Sequence, residues 1–151
     1  MAIARKSRLE KILVHYYGVL QSAHILGLVA SGVWWIQNGD LGFLALPPQG
    51  GWSGQTIHFL VATGMFDLLI AIIGVFFVVQ YRNERETADV LGSVALTGSL
   101  YSAAIYAYGT LRSGAWNSHP LAYGAVSLAF APMFLLVVVF FKMRLMHDPD
   151  R

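Results

Sequence analysis

Four long apolar stretches constrain the fold of this chain more than any other feature. They run roughly over residues 12–36, 57–81, 90–111 and 121–141. Each is close to the about 20 residues that cross about 30 Å of hydrocarbon as a helix. A segment in lipid must satisfy its own backbone hydrogen bonds, so isolated spans of this length are helical. We therefore expect a single all-α membrane domain, residues 1–151, built as a bundle of four transmembrane helices.

The composition supports this class and excludes several others. Charged residues make up 12% of the chain and apolar residues 56%, whereas a soluble domain has about 25% charged residues. Cysteine is absent, which excludes disulfides, thiolate nucleophiles and covalent c-type haem. The basic residues form no stripe suited to nucleic acid, so we expect no nucleic-acid partner. The first apolar stretch is of full spanning length and lacks an A-x-A-like site, so we expect it to be retained as a helix.

The basic residues predict the orientation of the bundle. Nine of the ten lie at the end that carries both termini: Arg5, Lys6, Arg8, Lys11, Arg82, Arg85, Lys142, Arg144 and Arg151. Only Arg112 lies at the other end. Cytoplasmic loops carry the excess of lysine and arginine, so we expect both termini in the cytoplasm. We call that end the inner end and the opposite end the outer end.

The spans differ in side-chain size, and the connections between them differ in length. The third span is rich in glycine, alanine and serine, and small residues let helices approach closely in lipid. We expect it to pack centrally, and we expect the bulkier fourth span to face lipid more. The connections at 37–56, 82–89 and 112–120 are predicted loops, and the tryptophans fall near the outer boundary, where they are typical anchors.

Ionisable groups inside the bilayer are costly and therefore point to function. Asp67 and His24 fall near the midplane, whereas His58 lies near the outer edge and Tyr106 about a turn below it. Asp67 is either a structural hydrogen-bonding group or a proton relay or substrate contact. His24 either pairs with Asp67 or bonds a backbone carbonyl. His58 is either an ordinary interfacial histidine or a haem ligand, since imidazole is the usual proximal ligand of haem.

Several short motifs occur in an order that resembles the styrene-oxide isomerases. They are Gly-Val-Trp-Trp-Ile-Gln-Asn-Gly at 32–39, Gly-Trp at 51–52, His58, Gly-Met at 64–65, Leu-Gly-Ser at 91–93, Tyr106, and Leu-Ala-Phe-Ala-Pro at 128–132. The resemblance extends from about Gly18 to Phe141. That family consists of small bacterial membrane enzymes with four transmembrane helices, which form trimers and hold haem b.

The resemblance implies a function and a set of site residues. It implies that His58 ligates the haem iron, and that the iron acts as a Lewis acid which opens a small apolar epoxide to an aldehyde by a 1,2-shift. Tyr106 matches the family's active-site tyrosine, and Asp67 is a candidate replacement for a missing carboxylate. It further implies a homotrimer in the plasma (inner) membrane of a bacterium, as a multi-pass protein.

Two site positions depart from the family pattern. The family has an asparagine where this chain has Gly64, and an aspartate where it has Gly98; the spacing from Trp52 to His58 is also two residues longer. Three hypotheses follow. The chain is a haem-b-dependent isomerase, a haem-binding protein of the same fold without isomerase activity, or an accessory subunit of a larger membrane complex.

Overall fold

The computed structural model describes residues 7–42 and 45–145, and it is an all-α bundle. The helices are α1 (Arg8–Asn38), α2 (Gly54–Arg82), α3 (Thr87–Arg112), the short α4 (Ala115–Ser118) and α5 (Pro120–Leu145). Four of them, α1, α2, α3 and α5, are long and apolar enough to cross a membrane. The predicted four-helix membrane fold is confirmed. Arg5, Lys6 and Arg151 of the predicted inner end lie outside the described residues.

The helices are longer than the apolar stretches because polar residues cap them outside the predicted spans. Ser7 precedes α1 and its hydroxyl accepts a hydrogen bond from the Glu10 amide at 3.0 Å. Ser53 precedes α2 and accepts from the Thr56 amide at 3.2 Å. Serine at this position satisfies an amide that the helix itself leaves without an acceptor. In the predicted third loop, residues 115–118 instead form the helix α4.

A buried ion pair joins three helices at the inner end. The Arg144 guanidinium lies 3.1 Å from Glu10 Oε1 and 2.5 Å from Asp89 Oδ1, and it also stacks on the Phe140 ring. Glu10 is only 2% exposed. A buried carboxylate without a partner is costly, so this cluster holds the ends of α1, α3 and α5 together. It also shows that the starts of α1 and α3 and the end of α5 meet at one end of the bundle.

Glycines on α3 allow α2 and α5 to approach it closely. A Cβ atom added at Gly92 would lie 2.7 Å from a Phe77 ring carbon and would also collide with the Phe140 ring. These two rings pack edge to face, with centroids 5.5 Å apart, in the main apolar core. The spanning part of α3 is more buried than that of α5. α5 is less buried than α3, as expected, but α2 is as buried as α3 and α1 is the least buried of the four, so the central position of α3 stays a prediction.

A polar contact joins α1 to α3 near the middle of the bundle. The Tyr17 hydroxyl and Ser99 Oγ lie 2.9 Å apart, and Gln21 Nε2 donates to the same Ser99 oxygen at 3.3 Å. All three side chains are buried. Hydrogen bonds between membrane helices contribute about 0.6 kcal/mol on average, so their main effect is to fix which faces of α1 and α3 meet.

We expect Gly92→Ala to destabilise the bundle, because the added methyl group must displace two packed rings. Overpacking of this kind costs about 1–3 kcal/mol. The control is Gly124→Ala on α5, where an added Cβ meets nothing within 4 Å. Thermal unfolding of the two variants in detergent measures the difference. Equal unfolding temperatures would contradict the packing described here.

Candidate functional site

A cavity of about 610 Å³ lies inside the bundle, between α1, α2, α3 and α5. It extends from the level of Gln21 and Ser99 to Trp35 and Trp116 near the outer end. This volume is in the range of pockets that hold small organic ligands. The cavity therefore lies in the part of the molecule that the sequence places in the outer half of the bilayer.

The cavity wall is mostly apolar, and the cavity is not fully enclosed. Leu28, Leu60, Leu68 and Phe130 are among the lining residues. Other lining residues are also exposed on the outer surface of the helices, namely Val29, Ile36, Met65, Val126 and Phe134. These exposed lining residues belong to helices that are long and apolar enough to cross a membrane.

A histidine–aspartate pair lies at the deep part of the cavity. His24 Nε2, from α1, and Asp67 Oδ2, from α2, are 2.7 Å apart. Their side chains are 18% and 22% exposed, and both line the cavity. The His24 ring also packs edge-on against Phe130 of α5. The pairing considered from the sequence is thus present.

The deep part of the cavity also holds a buried hydroxyl that has no partner. Ser102 is 2% exposed and lines the cavity, but its Oγ makes no hydrogen bond within the part of the chain that the structure describes. Ser99, one turn earlier on α3, bonds Tyr17 and Gln21. The sequence alone does not predict that Ser102 lines the cavity, because this depends on the rotation of α3 about its axis.

Three aromatic residues line the outer part of the cavity. Tyr106 of α3 packs against Tyr123 of α5 with ring centroids 6.3 Å apart, and their hydroxyl groups share a hydrogen bond. The Trp116 ring of α4 stacks on Tyr123 at 5.5 Å, and its Nε1 donates to Thr110 Oγ1 at 2.9 Å. The sequence predicted only an interfacial anchor at Trp116, but in the structure the Trp116 ring lines the cavity.

The loop between α1 and α2 covers the outer end of the cavity. Tyr123 donates its hydroxyl hydrogen to the Leu46 carbonyl at 2.8 Å, and His119 Nε2 donates to the Pro47 carbonyl at 3.0 Å. The Gln49 backbone N–H donates to Ser118 Oγ at 2.9 Å. Leu41 and Ala45 of this loop line the cavity from above. His119 is therefore part of the attachment of this cover.

His58 is separated from the other predicted site residues. Tyr106 and Asp67 both line the cavity, whereas His58 does not. It is exposed near the start of α2, about two turns before Met65, which does line the cavity. Nine residues separate His58 from Asp67, which is about half a turn around a helix. The structure brings Tyr106 and Asp67 to one cavity, and His58 is not among the residues that line it.

The two glycines that replace polar residues of the resembling family are placed differently. Gly64 lines the cavity, and a Cβ there would make an ordinary contact of 3.7 Å with Leu28. Gly98 faces α2, where a Cβ would lie 2.9 Å from Ile70 Cγ1. An aspartate at position 98 would collide with Ile70, so the packing of α2 on α3 depends on glycine there.

Comparison with protein-family models, with curated proteins and with solved structures finds no match to this chain. Within residues 7–42 and 45–145, no group of three or more histidine, cysteine, aspartate or glutamate side chains is placed to hold a metal ion. The resemblance to styrene-oxide isomerases therefore stays a prediction from the ordered motifs.

We expect Tyr123→Phe to loosen the cover, because it removes the hydrogen bond to the Leu46 carbonyl while keeping the aromatic stack with Trp116. Amide hydrogen exchange of residues 45–53 should accelerate by a few-fold, as expected from the loss of about 1 kcal/mol. Tyr108→Phe serves as the control, since Tyr108 is exposed on α3. Unchanged exchange in Tyr123→Phe would show that this hydrogen bond does not hold the cover.

Proposed function

We propose that the protein is a multi-pass membrane isomerase that converts a small, largely apolar epoxide to an aldehyde. The observation that carries this proposal is the cavity. It is apolar along most of its length, several of its lining residues are exposed, and it places the polar groups of Tyr106, His24, Asp67 and Ser102 where a ligand's oxygen can meet them. The ordered motifs supply the reaction type by resemblance.

Tyr106 has a defined part in this proposal. Opening an epoxide develops charge on its oxygen, and a hydrogen-bond donor aimed at that oxygen lowers the barrier. Because the Tyr123 hydroxyl donates to the Leu46 carbonyl, it can only accept from Tyr106, so the Tyr106 hydroxyl hydrogen is directed at Tyr123 in the ligand-free protein. In the proposed reaction a substrate oxygen takes this hydrogen bond in place of Tyr123, and the Tyr106 hydroxyl then donates to the charge that develops on that oxygen.

His58 fits the role of a haem b ligand. A haem held by His58, however, is not assigned a role in this cavity. The imidazole is exposed and has no hydrogen-bond partner in the described part of the chain, so it is available to iron. When bound, haem would supply a Lewis acid. However, His58 does not line the cavity, and no catalytic step is therefore assigned to iron there. The homotrimer and the bacterial plasma membrane are parts of the proposal that rest on the resemblance alone.

A second candidate function is haem binding without isomerase activity. The observations that favour it are that His58 is exposed, has no hydrogen-bond partner among the described residues, and does not line the cavity. In that case the haem and the cavity serve separate purposes. Purification as a haem-free chain in a complex with other subunits would instead favour the accessory-subunit hypothesis.

We expect the purified protein, in detergent or nanodiscs, to convert an aryl or alkyl epoxide to the corresponding aldehyde. Tyr106→Phe should lower kcat by about 10²-fold, the size found on removal of one donor to a developing oxyanion. Tyr108→Phe is the matched control, because Tyr108 lies on α3 but outside the cavity. Gas chromatography measures the aldehyde. Wild-type protein that forms no aldehyde from any epoxide of the series would refute the proposed activity.

We expect protein from a haem-replete host to show a Soret absorption band that His58→Ala removes or shifts. The matched control is His15→Ala, since His15 is likewise an exposed histidine but lies on α1. Absorption spectra of the three proteins at equal concentration test the ligand directly. A colourless wild-type protein, or a band that His58→Ala leaves unchanged, would refute haem ligation by His58 without bearing on the cavity.

A further inference from the structure

We propose that His24 and Asp67 are the acid–base pair that opens the epoxide in the cavity, and that Ser102 binds the epoxide oxygen. This inference rests on the proposed function and assigns its chemistry to residues of the cavity rather than to iron on His58. The substrate class is a small apolar molecule with its oxygen at one end. That end lies at the level of Ser102, one turn before Tyr106 on α3, where the oxygen can meet both hydroxyl groups, and the apolar body extends toward the outer part.

The pair is arranged as a proton donor that remains accessible. Its internal hydrogen bond uses only His24 Nε2 and Asp67 Oδ2. Within the described residues, His24 Nδ1 and Asp67 Oδ1 have no other hydrogen-bond partner. Both side chains line the cavity and keep about a fifth of their surface exposed. The pair thus retains one nitrogen and one oxygen with which to meet a ligand.

The unpartnered hydroxyl of Ser102 is an independent observation that points to a ligand. Other hydroxyls on these helices donate to the carbonyl four residues earlier at 2.8–2.9 Å, as Ser22, Thr63, Ser93 and Ser127 do. Ser102 does not, although it is buried. A buried hydroxyl without a partner costs about 1–3 kcal/mol. A ligand oxygen at the deep end of the cavity would remove that cost.

The neighbouring polar groups do not compete for this position. Ser99 and Gln21 also line the cavity, but they are bonded to each other and to Tyr17. This leaves His24, Asp67 and Ser102 as the groups with free hydrogen-bonding capacity in the deep part of the cavity. Carrying an ionisable pair near the midplane of the bilayer is expensive, and such groups typically mark proton transfer or substrate paths.

The reaction balances without any co-reactant. The protonated His24 ring gives its proton to the epoxide oxygen as the bond from that oxygen to the more substituted ring carbon breaks. A hydrogen then migrates with its electron pair from the carbon that keeps the oxygen to the electron-poor carbon. The O–H proton returns to His24, which leaves the aldehyde. Asp67 stabilises the imidazolium by its negative charge.

The test compares three cavity variants with a control in the full-length protein. We expect Asp67→Asn and His24→Gln to lower kcat at least about 100-fold, the usual contribution of a general acid–base group. Ser102→Ala should raise KM about tenfold. Ser102→Ala should leave the unfolding temperature unchanged or higher, because it removes an unsatisfied hydroxyl, whereas a structural role would lower it. The control is His15→Gln, on α1 and outside the cavity.

Two further measurements separate this acid–base pair from iron. If the His24–Asp67 pair supplies the proton, turnover should be slower in deuterium oxide than in water. Cyanide, which binds haem iron, should then leave turnover unchanged. Asp67→Asn keeps the shape and a hydrogen bond to His24, so it reports on chemistry even where His24→Gln does not fold. Full activity in Asp67→Asn, or loss of activity with cyanide, overturns this inference and leaves the isomerase proposal standing. Wild-type protein inactive on every epoxide overturns both.

Discussion

The close approach of α3 to its neighbours is the constraint on which the rest of this structure depends. In hydrocarbon an apolar side chain gains little by leaving lipid for another helix, so membrane helices associate through tight packing and polar contacts. Gly92 and Gly98 remove the side chains that would hold α2 and α5 away. The Tyr17–Ser99 contact then fixes the rotation of α3 against α1. The inner half packs tightly around Phe77 and Phe140, and the outer half is left with the cavity.

This division of the bundle also separates stability from function. The inner half carries the apolar core and the Glu10–Arg144 ion pair. The outer half carries the His24–Asp67 pair, the unpartnered Ser102 hydroxyl and the aromatic wall. Polar groups that lack partners are tolerated there because the helices beneath are held firmly.

The sequence was sufficient for the fold and for part of the site. Hydropathy predicts the four spans, because the length of an apolar stretch directly reflects the thickness of the bilayer. Counting along the spans placed His24 and Asp67 at the same depth, and they do meet. The depth of a residue along its span does not, however, show whether its side chain lines the cavity. His58 and Tyr106 share the outer half but not the cavity. Ser102, Trp116 and the cover formed by the outer loop depend on tertiary packing, which no local pattern encodes.

The covered outer end and the exposed apolar lining of the cavity have a consequence for any ligand that binds there. With residues 45–53 tied down over the cavity by Tyr123 and His119, a ligand that reached the cavity from the bilayer would bind according to its concentration in lipid rather than in water. Each methylene group of a molecule favours hydrocarbon by about 0.8 kcal/mol, which enriches it about fourfold in lipid. The bilayer therefore concentrates longer-chain homologues more strongly than shorter ones before any of them binds to the protein.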